Sequence, residues 1–170
     1  MRPLFSKYIT IAFCFLSLSA CKINYSFSGA SVSPDVKTIT IQTMRNSASL
    51  AKPTLPQALT EALKDIFTSQ TRLGIISSGG DLSFEGEIVN YSTAPIAIQS
   101  NDLAALNRLT ITITIKFVNT KDEKKNFEST FSRYADFKST VSLSSVEDDL
   151  IKQINDQLVQ DIFNKAMINW

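Results

Sequence analysis

The chain has no histidine among its 170 residues. That removes the commonest general base, the Ser-His and Cys-His nucleophile pairs and most zinc sites, so neither enzymatic activity nor a metal or other cofactor is expected. Charge of one sign is also lacking: 17 Lys+Arg stand against 16 Asp+Glu. Without a basic run there is no electrostatic footprint for nucleic acid, whose binding depends on neutralising phosphates. Cysteine is limited to Cys14 and Cys21, which excludes a disulfide framework. Gly and Pro number five each, and 44% of residues are hydrophobic, so collagen-like or disordered classes do not apply and one ordinary globular domain is expected.

The apolar run from Ile9 to Leu18 is about half of the roughly 20 residues that a membrane-spanning helix needs. Preceded by Arg2 and Lys7, it reads as a secretory signal peptide over residues 1–20. Leu18-Ser19-Ala20-Cys21 looks like a bacterial lipobox, in which the Cys is lipidated and becomes the first residue of the mature chain. Each buried lipid methylene stabilises membrane association by about 0.8 kcal/mol, so two or three acyl chains on Cys21 give a firm anchor. Lys22, not Asp, follows, which implies transfer to the outer membrane where Asp is the retention signal. Residues 21–36 form a lipidated tether. Ile23, Tyr25 and Phe27 alternate with polar residues there, so a free tether and a docked strand both remain open.

Residues 37–170 read as a single α+β domain. Lys37 to Thr43 alternates isoleucine with threonine, a strand with one buried face. Thr54-Leu55-Pro56-Gln57 has capping-box spacing, and Leu55, Leu59, Leu63 and Phe67 follow at helical period, predicting a helix over 54–73 with Gly74 as a left-handed cap. Ser78-Gly79-Gly80-Asp81 is a turn into an alternating strand from Leu82, which Pro95 limits or places at an edge. Leu109 to Phe117 points its odd residues one way and threonines the other. The charged stretch 121–125 then turns into an antiparallel partner, Phe127 to Phe137. Ser144-Ser145-Val146-Glu147 fits a second capping box, and an apolar stripe from Leu150 to Ala166 predicts a helix reaching almost to Trp170. Strand-helix-strand-strand-strand-helix order is satisfied by a two-layer sandwich, a four-stranded sheet with both helices on one face.

Local chemistry is sparse. Glu85 and Glu87 share a strand face at a spacing near the lower limit for paired glycosidase carboxylates, but solvation of that face explains them more simply. Glu147, Asp148 and Asp149 could hold a cation, whereas acids in a first helical turn are explained by the helix dipole. Gly79-Gly80 is a turn and not a phosphate cradle.

Four stretches carry a family resemblance: the segment from Tyr25 to Ile41, Pro53 to Asp65, Ala105 to Ile111, and Ser145 to Ile151 with Asp161 to Ala166. Together with Cys21 and the order of elements, they resemble the lipopolysaccharide-assembly lipoproteins of the LptE family. The resemblance implies a non-enzymatic outer-membrane lipoprotein that plugs and helps assemble the LptD β-barrel, with the domain facing the periplasm and barrel lumen. Contact with lipopolysaccharide itself would need cations facing its phosphates, and Lys116, Lys124, Lys125 and Arg133 are the candidates. The alternative class is a periplasm-facing lipoprotein that binds a hydrophobic ligand or another envelope protein. It predicts an apolar cavity between helices and sheet.

Overall fold

The computed structural model describes residues 33–96 and 106–167. The signal peptide, Cys21, most of the tether and Trp170 lie outside them. Within them the order is β1 (Thr38–Ile41), β2 (Arg45–Asn46), α1 (Leu55–Gln70), β3 (Gly74–Ile75), β4 (Leu82–Ile96), β5 (Leu106–Asn119), a 3-10 turn (Glu123–Lys125), β6 (Phe127–Lys138) and α2 (Leu143–Met167). The sheet runs β3-β1-β4-β5-β6, with β2 also on β4. Six strands replace the expected four because β2 and β3 are two residues each, too short to leave a periodic signal. β1 pairs in parallel with β3 and β4, and α1 supplies the crossover that parallel pairing requires. β4, β5 and β6 form an antiparallel meander, in register from Leu82↔Asn119 to Ile96↔Leu106 and from Leu106↔Lys138 to Phe117↔Phe127.

Both helices pack on one face, and the strand alternation says which. Ile39 and Ile41, then Leu82, Phe84 and Ile88, then Leu109 to Phe117 at every second residue, are buried. A bulge between Ile88 and Asn90 leaves Val89 exposed and resets the parity, so that Tyr91 is the next residue to point inward. Pro95 falls beyond Ile88, the last β4 residue paired with another strand on that side, so its missing N–H interrupts no ladder there. A row of rings links the layers: Phe163 to Phe67 and Phe67 to Phe84 at 5.1 Å, Phe84 to Phe117 at 4.8 Å, and Phe117 to Phe127 at 5.1 Å. The helices run side by side in the same direction: Lys52, just before α1, reaches Glu147 and Asp148 of α2, while Phe67 meets Phe163 at the other end.

The expected caps do not form. Thr54 makes no side-chain cap bond, and Pro56 opens α1 instead. The helix stops at Gln70, three residues early, because Thr71 is extended and its N–H and hydroxyl both donate to the Phe67 carbonyl. Gly74 is therefore not a left-handed cap but the first residue of β3. Likewise Ser144 lies inside α2, and Glu147 turns away from the helix terminus toward Tyr91 and Lys52.

Asp81 fixes where β1 enters the sheet. Its Oδ2 accepts from the backbone N–H of Lys37 (2.9 Å) and Thr38 (3.1 Å) and from the Thr38 hydroxyl (3.0 Å), and Lys121 Nζ stands 3.0 Å from Oδ1. The Lys37 amide first, then Lys121, hold its carboxyl well below the ordinary carboxylate range. A depressed folded pKa contributes stability that is present above the unfolded value of about 4 and is lost as pH falls below it. Asp81→Asn should therefore be less stable at pH 7 and lose less on acidification. Urea unfolding at pH 7 and pH 3 checks this, and an unchanged slope with pH would refute it.

Candidate functional site: the uncovered sheet face

No helix covers the second face of the sheet among the described residues, and its composition differs from the first. Thr110, Thr112 and Thr114 of β5 stand opposite Tyr134, Ser132 and Thr130 of β6. Two of these pairs bond hydroxyl to hydroxyl, Thr112 with Ser132 at 2.9 Å and Thr114 with Thr130 at 3.1 Å. On the β4 side Glu87, Asn90 and Ser92 continue the same rows. β-Branched threonine suits a pleated surface, while its hydroxyl keeps that surface wettable. Toward the 97–105 connection, Arg108 makes a two-pronged ion pair with Asp136 (2.7 and 2.9 Å) and lies 3.5 Å over the Tyr134 ring. The Asp136 bond raises the Arg108 pKa, and Arg108 lowers that of Asp136. At the other end the charges alternate across the strands. Glu85 accepts from Gln42 Nε2 at 3.2 Å, Lys116 stands in register between Glu85 and Glu128, and Arg45 lies 3.6 Å from Glu87, which also accepts from the Ser47 hydroxyl.

This arrangement is a sheet face of paired hydroxyls and paired charges. Glu85 and Glu87 are engaged in it by Gln42, Ser47 and Arg45 and do not converge on a cleft. Of the candidate cations, Lys116 is exposed on this face, and Lys124 and Lys125 lie in the turn beyond the same end, with Lys125 3.8 Å from Asp122. Arg133 does not join them. It pairs across from Ile111, on the helix side of the edge strand, and forms a two-pronged ion pair with Asp161 of α2 at 2.5 and 2.7 Å. The signal was in the sequence: Arg133 has the odd numbering of Phe131, Ala135 and Phe137, so strand alternation places it with the core-facing set. Asp161 raises the Arg133 pKa further, chiefly through that bond.

Glu147 and Asp148 are also committed. Glu147 accepts from the Tyr91 hydroxyl and lies 3.4 Å from Lys52, and Asp148 lies 2.7 Å from Lys52. Burial first, and then Glu147, push the Tyr91 pKa upward. Among the described residues, Leu59, Leu63, Phe67, Phe84, Phe117 and Phe163 are buried between the helices and the sheet, where a ligand carrier would need its cavity. A concavity of about 680 Å³ lies between the two helices, lined by Ala58, Ala62, Ile66 and Ile151 together with Glu61, Asp65 and Asp156. No helix among the described residues is long and apolar enough to cross a membrane.

Two solved structures share this architecture at low identity. A minor lipoprotein from Acinetobacter baumannii is 16% identical with a TM-score of 0.52, the match covering 79% of this chain and 94% of that one. The hypothetical protein CT253 from Chlamydia trachomatis is 8% identical with a TM-score of 0.52, covering 77% of this chain and 98% of the other. These likenesses concern the fold. No curated protein matches the chain. The family model described as "LptE: Lipopolysaccharide-assembly" matches residues 36–166, from the buried Val36 through the last turns of α2. The chain, so matched over most of its length, belongs to the LptE family of lipopolysaccharide-assembly proteins.

Proposed function

We propose that the protein is an outer-membrane lipoprotein, anchored through Cys21, that occupies the lumen of an LptD-type β-barrel and assists its assembly in lipopolysaccharide transport. Family membership supports the process. The observation that carries the plug reading is the uncovered sheet face. A protein seated in a barrel must present polar groups to a hydrated interior, and here hydroxyls and paired charges occupy the face that a water-filled lumen would meet. The role is non-enzymatic. We assign contact with lipopolysaccharide phosphates to Lys116, Lys124, Lys125 and Arg133, the last of which also pairs with Asp161 on the helix side of β6.

Affinity purification of the tagged protein from detergent-solubilised outer membrane tests the reading. A large heat-modifiable β-barrel should be recovered in fixed ratio, and recovery of the lipoprotein alone while other barrels stay intact would refute it. Thr112→Trp sharpens the test, because it places a large ring at the middle of the proposed contact face without touching the core. Losing the Thr112–Ser132 hydroxyl bond should cost no more than about 1.5 kcal/mol. Barrel recovery should nevertheless fall severalfold, and unchanged recovery would move the contact to another face.

A further inference from the structure

The end of the domain where the chain enters carries a second surface. β3 is an edge strand of two residues, paired only with β1 among the described residues; its Ile75 and the following Ile76 are 39% and 37% exposed. Exposed isoleucines on a sheet edge are a liability that soluble domains normally cover or charge. Cations surround them. Arg72 precedes β3 and is exposed, as is Lys37, whose carbonyl accepts from the Gly74 N–H at 2.9 Å, and Lys121 sits beyond on the same rim. Asp81, the acid nearest this rim, is occupied by the Lys37 and Thr38 amides and by Lys121. Asp35 is exposed on this side, and Asp122 and the exposed Glu123 follow Lys121.

From these positions we infer that, before the domain enters a barrel, the Ile75–Ile76 edge rests on an anionic phospholipid bilayer, the isoleucines entering the headgroup boundary and Lys37 and Arg72 meeting lipid phosphates. The site of attachment favours a bilayer over a soluble partner. Ser33, where the described chain begins, is four residues before Lys37, and 12 residues link it back to position 21. At about 3.3 to 3.6 Å per residue the link spans at most roughly 40 Å, so a lipid on Cys21 keeps this end of the domain within reach of the membrane surface. An apolar pair flanked by cations is the composition of an interfacial contact. The inference rests on Cys21 as the point of attachment and adds an orientation to it: β3 toward the membrane, and the start of α1, about 24 Å away along that helix, pointing from it.

The test supplies the anchor chemically, so that it does not depend on lipidation in the cell. The chain from residue 21 onward has Cys21 as its sole thiol, which couples to a maleimide phospholipid in phosphatidylethanolamine and phosphatidylglycerol vesicles with brominated acyl chains. In a Trp170→Phe background, Ile76→Trp should be quenched severalfold more than Leu50→Trp, which reports from the opposite end at a position 75% exposed. Adding Ile75→Glu should remove the difference. Ile75→Trp provides a second reporter should the first variant fold poorly. Equal quenching at the two ends, or none at either, would overturn the inference, including the case in which residues 22–32 cover β3 themselves. Because the vesicles contain no barrel, that result would leave the plug reading standing.

Discussion

Replacing Phe67 with alanine should destabilise the domain by about 3 to 5 kcal/mol, the cost of deleting a fully buried aromatic side chain together with the cavity it leaves. The ring is 0% exposed and touches Phe84 of β4 and Phe163 of α2, both at 5.1 Å between centroids. It is thus the one side chain of the aromatic row that joins α1, the sheet and α2 at a single point. Collapse cannot refill the space cheaply, since the surrounding side chains come from three separate elements whose backbones are fixed by other contacts. Chemical denaturation with an unchanged m-value is the measurement. Leu50→Ala, at a position 75% exposed, provides the contrast and should stay within about 0.5 kcal/mol. A loss below about 1.5 kcal/mol for Phe67→Ala would mean that the helices do not meet the sheet as described.

That central position was legible from Phe67 falling on the Leu55-Leu59-Leu63 stripe, just as the strand from Leu109 to Phe117 announced its buried face by strict alternation. Long periodic elements could be read because burial repeats at every turn or every second residue. What failed were signals carried by one or two residues. Thr54 and Ser144 have cap spacing, but the helix starts were decided by Pro56 and by the Ser142 region, where the Ser142 carbonyl accepts from the Ser145 N–H at 3.1 Å. Gly74 could have capped α1, but pairing with β1 through Thr38↔Gly74 claimed it for the sheet. The polar face was visible as a row of threonines, yet its organisation depends on which residue of β6 meets which of β5, and no spacing within one strand states that. Arg133 shows the converse: its odd parity in β6 was readable and puts it on the helix side, where it pairs with Asp161.

The neighbouring glycines Gly79 and Gly80 look alike in sequence and should respond differently to alanine. Gly79 has φ +73°, the left-handed region, with nothing within 4 Å of an added Cβ. Alanine there meets only the intrinsic penalty of that conformation, about 1 to 2 kcal/mol. Gly80 lies where the chain threads between β1 and β4: an added Cβ would come 2.7 Å from the Thr40 nitrogen, 2.8 Å from the Leu82 oxygen and 2.9 Å from the Ile39 carbonyl carbon. All three are backbone atoms, so no rotamer change relieves the contact. Relief requires moving β1 away from β4 where Ile39↔Leu82 and Thr40↔Ser83 pair, and stretching the 3.0 Å bond from the Gly80 N–H to the buried Thr40 hydroxyl. The cost should reach about 3 kcal/mol or more, the upper end for overpacking. Gly80→Ala should therefore unfold at clearly lower urea than Gly79→Ala, and amide exchange in β1 should accelerate in Gly80→Ala alone. The reverse order of stabilities would show that the β1–β4 contact yields more readily than its backbone packing implies.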